Sequence, residues 1–240
     1  MKTVGIIGYG SFGEFLCTTL HSSVSLKVYD PQKHVPANLQ SSIEEVAGCD
    51  YVVLAVPLDA YEGVVSSIAP KLSRQSVVVD ISSVKSEPMR LLNLLIPSAK
   101  KVFTHPLFGP QSAADSLHGH VLVMCPEASD PEAFAILKDF ATKLGLKVIE
   151  KTTEEHDREM AYAQGLTFFV ARALMKSNIH DIELRTPSFK KLLDLAELES
   201  HHSDDLFRTI QLGNTFTRKV RASFARQVAE LLEELTEDGD

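Results

Sequence analysis

The sequence predicts an α/β protein: a doubly wound, mostly parallel sheet followed by a smaller, all-helical C-terminal region. Three observations predict it. Short β-branched runs alternate with helix-like segments up to about residue 150, a glycine cluster follows the first run, and the pattern turns wholly helical from residue 152.

The runs are TVGIIG (3–8), LKVYD (26–30), YVVLAV (51–56), SVVVDI (76–81), KVFTH (101–105), HVLVMC (120–125) and LKVIE (146–150). They are continuously apolar rather than alternating, as expected of strands covered on both faces. Helix-like segments lie between most of them, at 12–21, 42–48, 58–70, 84–95 and 131–144. Strand–helix alternation of this kind implies parallel strands joined by right-handed crossovers.

At residue 152 the pattern changes. Thr152 and Glu155 have the spacing of a capping box, and helices are expected over 153–178, 188–199 and 203–235, with a break from Asn178 to Pro187. The chain therefore divides into a domain over 1–151 and a helical domain over 152–240, the latter small for a self-sufficient core. Val220, Phe224, Val228, Leu231 and Leu235 form an apolar stripe at helical spacing. It either packs within the chain or forms a seam between two copies, and a homodimer through the helical domain is expected. The acidic end, EDGD (237–240), reads as a solvated tail.

Bulk composition narrows the function. Of the 240 residues, 44% are hydrophobic and 23% charged, which suits a soluble globular chain. The net charge of −8 argues against nucleic acid and anionic membrane, since both reward clustered Lys and Arg. Cys17, Cys49 and Cys125 fall at no metal spacing and read as small buried apolar residues in a reducing compartment. The start, MKTVGIIGYG, is interrupted by glycine too early for a signal peptide, and no apolar run reaches the roughly 20 residues of a membrane span. A cytoplasmic protein is expected.

GYGSFG, Gly8 to Gly13, fits G-x-G-x-x-G. The pattern alone is weak, but here it follows a strand, opens a helix and precedes an acid at the end of the second strand, Asp30. Gly8 permits the tight turn, Gly10 lets a pyrophosphate approach the backbone, and Gly13 lets helix and strand pack closely. Ser11 and Phe12 lie at the helix N-terminus, whose free N–H groups and dipole favour an anion. Asp30 would accept hydrogen bonds from the adenosine ribose hydroxyls and repel a 2′-phosphate, which favours NAD over NADP despite nearby Lys33. The 1–151 domain is thus a dinucleotide-binding one of Rossmann type.

THPLFGPQ (104–111) places His105 at the end of the fifth strand, on the carboxyl edge where open α/β sheets bind ligands. There it is expected to be half-exposed in a cleft, with a pKa near 6.5 suited to proton transfer. Pro106, Gly109 and Pro110 restrain the loop. DISSVK (80–85) ends the neighbouring strand, with Ser83 entering the next helix either as a cap or as a hydroxyl facing the same crevice. His156, Met160, Gln164 and Thr167 fall on one helical stripe, expected to face a polar cleft.

With GYGSFG and Asp30, LAVP (54–57), DISSVK, THPLFGP, EEHDREMAYAQGLTFF (154–169) and, more loosely, DLFRTIQLGN (205–214), the sequence resembles the prephenate and arogenate dehydrogenases of tyrosine biosynthesis. The resemblance implies that His105 accepts the proton of the substrate's ring 4-hydroxyl while hydride passes to NAD+ and CO2 leaves. It implies that Ser83 assists beside the nicotinamide, that Val56 and Pro57 belong to the cofactor site, and that Gln164 and Thr167 face the substrate. The dicarboxylate substrate needs cations. Relatives often carry arginine where Lys190 stands, and Arg185 is an alternative anchor; Gln111 stands where relatives often have an acid. HVLVMCP (120–126) has no acid before Glu127 to answer an ammonium, which favours prephenate over arogenate. No regulatory module is expected beside the two domains, and on that expectation inhibition by tyrosine would act at the active site. Two other readings are weaker: a β-hydroxyacid or imine-reducing dehydrogenase, which would not need His105, and a non-catalytic NAD-binding sensor, which would need neither His105 nor Ser83.

Overall fold

The computed structural model describes residues 1–200 and 202–237; of the EDGD end, 238–240 lie outside the described residues. All seven apolar runs are strands: β1 Thr3–Ile7, β2 Ser25–Tyr29, β3 Tyr51–Leu54, β4 Val77–Asp80, β5 Lys100–Pro106, β6 Val121–Cys125 and β7 Lys147–Glu150. They form one sheet in the order β2-β1-β3-β4-β5-β6-β7. Helices α1 Ser11–Leu20, α2 Ile43–Ala47, α3 Tyr61–Ile68, α4 Ser86–Leu95 and α5 Pro131–Lys143 cover it, as expected for strands apolar on both sides.

Alternate residues along the strands feed two cores. Ile6, Val28, Val53, Val79, Val102 and Met124 are buried with Cys17 of α1 and Phe134 of α5. Ile7, Leu54, Val78 and Phe103 are buried with Val46 of α2, Val65 of α3 and Leu92 of α4. Each such aliphatic side chain stabilises the fold by about 1.5–3 kcal/mol.

The sheet is mostly parallel, as expected, with one antiparallel pair. β5 and β6 pair antiparallel, with His105 opposite Val123, whereas the other neighbouring strands pair parallel. No helix lies between β5 and β6, so the chain folds straight back, Leu107 N–H bonding to the Val121 carbonyl at 2.9 Å. A parallel neighbour would need a crossover connection, usually a helix packed across the sheet.

The chain divides into two compact units, Met1–His156 and Asp157–Asp240; the helix that opens at Thr153 runs across that boundary. The capping box forms: Thr152 N–H bonds to Glu155 Oε2 at 2.9 Å and Glu155 N–H to Thr152 Oγ1 at 3.1 Å. After α6 (Thr153–Met160) the helix widens into a π-turn over Ala161–Leu166 and resumes as α7 (Thr167–Lys176), ending near Asn178 at φ 54°. The stripe drawn through His156, Met160, Gln164 and Thr167 assumes an uninterrupted 3.6-residue period, and the π-turn breaks it. His156 and Met160 are buried, whereas Gln164 and Thr167 are only partly so.

After α8 (Pro187–Ser200), the single helix expected over 203–235 is two. α9 Asp204–Arg208, capped by Ser203 Oγ on the N–H of Leu206, runs through a π-turn to Gly213; the chain then extends at Asn214 before α10, Thr217–Glu237. The cause is a set of backbone carbonyls on the α6 π-turn and its approach. Asn214 Nδ2 donates to the Asp157 carbonyl at 2.6 Å and Gln211 Nε2 to that of Gly165 at 2.7 Å, all in the interior. Buried polar groups of this kind are kept because leaving one unpaired costs about 1–3 kcal/mol.

Candidate functional site

The glycine loop follows from close contacts. Gly8 has φ +103°, its N–H bonds to the Tyr29 carbonyl at 2.9 Å, and a Cβ there would meet the Ala55 carbonyl oxygen at 2.3 Å and Val56 Cγ1 at 3.0 Å. A Cβ on Gly13 would stand 2.1 Å from the Gly8 carbonyl oxygen. Gly10 is different: its Cβ would have nothing within 4 Å, and as N-cap of α1 it offers no side chain to the helix N–H groups of Ser11 and Phe12. Two glycines therefore close the turn, and the third leaves open space over an uncapped N-terminus. That is the shape a pyrophosphate needs.

Asp30 terminates this turn at the end of β2. Its Oδ2 accepts from Tyr9 N–H at 2.7 Å, and its Oδ1 accepts from the N–H groups of Gln32 and Lys33 at 2.8 Å each. Partial burial opposes ionisation, but these three donors and the Lys33 charge outweigh it and hold the carboxyl below its usual value. Asp30 opens onto a cleft of about 410 Å3 with Tyr29, Gln40, Ser41, Ser42 and Glu45 around it, room for an adenosine half. The residues present thus fit a dinucleotide. Val56 and Pro57, expected in the cofactor site, follow β3, and Val56 packs on the core beside Gly8.

The histidine loop lies against the glycine loop. Phe108 is 6.3 Å, centroid to centroid, from both Phe12 and Phe15, and 5.2 Å from His120. Aromatic packing thereby joins the dinucleotide turn to HPLFGP. Gln111 is exposed on that loop, beside Ser112, whose Oγ accepts from the Gly109 N–H at 3.0 Å.

His105 departs from expectation. It is 2% exposed rather than half-exposed, because β5 continues through Pro106 with β6 paired beside it, and because a second histidine covers the ring. Nδ1 of His105 lies 2.8 Å from Nε2 of His156, which is also 2% exposed, with the rings edge to face at 5.1 Å. Burial, then His156 and the Lys85 cation, push its pKa well below 6.5, so the ring is neutral at pH 7 rather than poised at neutrality.

Ser83 likewise differs: it does not enter the helix, which begins at Ser86 with Lys85 as N-cap. It sits partly buried in the turn after β4, the strand hydrogen-bonded in parallel to β5. Under this turn is a buried network that sequence reasoning missed. Lys85 Nζ donates to the carboxylate of Asp80 and to the Thr104 carbonyl, and Tyr61 Oη donates to Asp80 Oδ1 at 2.5 Å, all four residues being at most 2% exposed. The available signal was an acid at the end of an apolar strand with a lysine five residues on; His156 was expected to face a polar cleft, but its contact with His105 was not foreseen.

In the second unit, Lys190 and Arg185 share one cleft of about 400 Å3, together with Asp181, Asp194 and Glu197. Each cation is already answered: Lys190 by Asp194 at 2.9 Å and Arg185 by Asp181 at 2.7 Å, in exposed i,i+4 pairs. Gln164 and Thr167 lie on the helix and do not line that cleft. Among the described residues no cluster suits a metal ion, and no helix is long and apolar enough to cross a membrane.

Fold and site together define an α/β dinucleotide-binding chain of Rossmann type. Residues 29–150, just over half of the chain, match the family model described as prephenate dehydrogenase, nucleotide-binding domain, and the chain belongs to that family. The match spans Asp30, Ser83 and His105. The chain is 29% identical over 203 residues to the probable arogenate/prephenate dehydrogenase of Methanocaldococcus jannaschii, covering 80% of this chain and 45% of that one. It is 28% identical over 229 residues to arogenate dehydrogenase 2, chloroplastic, of Arabidopsis thaliana, covering 88% and 63%. The chain thus spans less than two thirds of these curated relatives. In fold it matches prephenate dehydrogenase from A. aeolicus, solved with hydroxyphenyl propionate and NAD+, at TM-score 0.76 and 22% identity over 100% of this chain and 92% of that one.

Proposed function

We propose that the chain is an NAD-dependent dehydrogenase that oxidatively decarboxylates prephenate to 4-hydroxyphenylpyruvate. One observation carries this reading: His105 and the Ser83 turn stand on the carboxyl ends of two hydrogen-bonded parallel strands, within the segment the family model matches. Met1–His156 would bind the dinucleotide through Gly8, Gly10, Ser11, Phe12 and Gly13, with Asp30 on the adenosine ribose and Val56 and Pro57 alongside. Asp30 favours NAD over NADP, because a 2′-phosphate would meet its negative charge. Bound there, NAD+ would supply the hydride acceptor.

The protein's own part is limited. His105 takes the proton of the ring 4-hydroxyl, and its burial suits this in two ways: the ring is neutral, able to accept, and water is excluded. Ser83 positions the same hydroxyl. Loss of the ring carboxylate as CO2 leaves an aromatic ring, so the protein need only hold the substrate, accept one proton and keep the site dry. Gln111, Gln164, Thr167, Lys190 and Arg185 are the candidate substrate contacts; the two cations would have to exchange Asp194 and Asp181 for substrate carboxylates.

Arogenate, giving tyrosine directly, is the second reading, favoured by the arogenate dehydrogenase name of the Arabidopsis relative. Prephenate is preferred because β6 is an apolar, mostly buried strand and the first acid after it, Glu127, accepts the Thr153 N–H, which leaves it committed to the start of α6. Mixing the protein with NAD+ and each substrate, and following reduced cofactor by absorbance, tests both. Turnover of prephenate is expected, falling roughly 10²-fold or more in His105→Asn. Absence of turnover with both substrates would overturn the proposal.

A homodimer through α10 belongs to the same proposal. Phe224, Val228, Leu231 and Leu235 are 37–68% exposed along one stripe, a surface a second copy would cover. Light scattering should show a dimer that Leu231→Lys with Leu235→Lys dissociates.

A further inference from the structure

A neutral imidazole carries one N–H, and with both rings neutral the His105–His156 hydrogen bond can be made in two ways. In one, His105 Nδ1–H donates to His156 Nε2 and the lone pair of His105 sits on Nε2. In the other, His156 Nε2–H donates to His105 Nδ1, and His105 must carry its own proton on Nε2. The second leaves neither nitrogen of His105 able to take a further proton, since Nδ1 is engaged with His156 and Nε2 already carries hydrogen.

We infer that His156 is a positioning residue for the proposed reaction: it accepts the Nδ1 proton of His105, fixes the ring's orientation, and so makes Nε2 the nitrogen that receives the substrate proton. This rests on the dehydrogenase reading above and gives His156, expected from the sequence only to face a polar cleft, a role through His105. The arrangement parallels the orienting acid of a Ser-His-Asp triad, with a neutral acceptor in place of a carboxylate. The difference has a purpose in this surrounding. Lys85, carrying the Asp80 carboxylate, bears on His105 from the turn after β4, and His156 faces it from α6. A carboxylate at position 156 would pull the resting imidazole toward imidazolium, whereas an imidazole orients it and leaves it uncharged. When His105 takes a proton, its Nδ1–H still has an acceptor, so no reorientation is required during the step. His156 is itself held: it lies at the first turn of α6, its N–H bonded to the Thr152 carbonyl at 2.9 Å, on a helix start fixed by the Thr152–Glu155 box.

Two measurements test this. In the first, long-range 1H–15N correlation spectra of the labelled protein, with His105 assigned by loss of its signals in His105→Gln, report which ring nitrogen carries hydrogen. Hydrogen on Nδ1 of His105 is expected; hydrogen on Nε2 would overturn the inference, whether or not the enzyme reading stands. In the second, turnover is compared in His156→Leu, which removes the acceptor, and His156→Gln, whose Oε1 can stand where Nε2 does. kcat should fall about 10²-fold in His156→Leu with KM changed less than about 3-fold, and His156→Gln should recover most of it. Equal losses in both variants, or a loss confined to KM, would reduce His156 to a packing residue. Failure of the wild-type protein to turn over either substrate would count against the dehydrogenase reading, and the spectra would still decide the tautomer.

Discussion

Lys85 and Asp80 form an ion pair with no exposed side-chain surface, and the same ammonium holds the carbonyl of Thr104, the residue before His105. The pair therefore ties the end of β4 to the end of β5. Replacing Lys85 by Met should destabilise the first unit by about 3–5 kcal/mol, because Asp80 would be left as an uncompensated buried charge. Adding Asp80→Asn should restore a large part of that loss. Urea unfolding of the single and double variants reads both; an additive double variant would show that the pair is not coupled.

Stability should fall as the medium is acidified through pH 6.5. His105 is neutral in the folded chain to well below that pH, whereas the unfolded chain takes up a proton near it, so the unfolded state binds more protons in this window. The slope from this one group is about 1.4 kcal/mol per pH unit, running from pH 6.5 down toward the depressed folded value. Unfolding free energies between pH 7.5 and 5 should show it in the wild type and show less in His105→Gln. Parallel curves would mean that His105 is not the group responsible.

Gly10 and Gly13 should separate binding from folding. A Cβ on Gly13 collides with the Gly8 carbonyl, so Gly13→Ala should cost about 1–3 kcal/mol by overpacking. A Cβ on Gly10 meets nothing, and its φ of −72° suits alanine, so Gly10→Ala should lose no more than about 1 kcal/mol. Its NAD+ affinity should nevertheless drop about 10-fold or more, because the added methyl occupies the space a phosphate requires. Calorimetric titration and thermal unfolding of the two variants give the comparison.

Asp30→Asn should relax cofactor choice. The amide oxygen can keep the Gln32 and Lys33 contacts while its NH2 loses the Tyr9 one, and the charge that opposes a 2′-phosphate is removed, so the NAD+ to NADP+ ratio of kcat/KM should fall by about 10-fold. An unchanged ratio would place the discrimination elsewhere. At least one of the three N–H contacts that set the carboxyl below its usual pKa is lost, and a decrease in melting temperature should accompany the change.

The amino-acid order alone determined the seven strands, the five helices over them, the glycine turn with Asp30, and the start of the helical region at the Thr152 box. These follow from local rules: apolar runs of strand length, glycine where no Cβ fits, and a cap where a helix begins. His105 and Ser83 could be named as candidates from order, because His105 ends an apolar run and Ser83 follows one by two residues. Only the tertiary structure decided what surrounds them. The partner of His105 lies 51 residues away, and Lys85, Tyr61 and Asp80 meet through packing rather than spacing. The antiparallel turn to β6, the burial of the imidazole and the break at Asn214 share that origin. Each depends on contacts between segments distant along the chain, and a partner's distance along the chain says nothing of its distance in space.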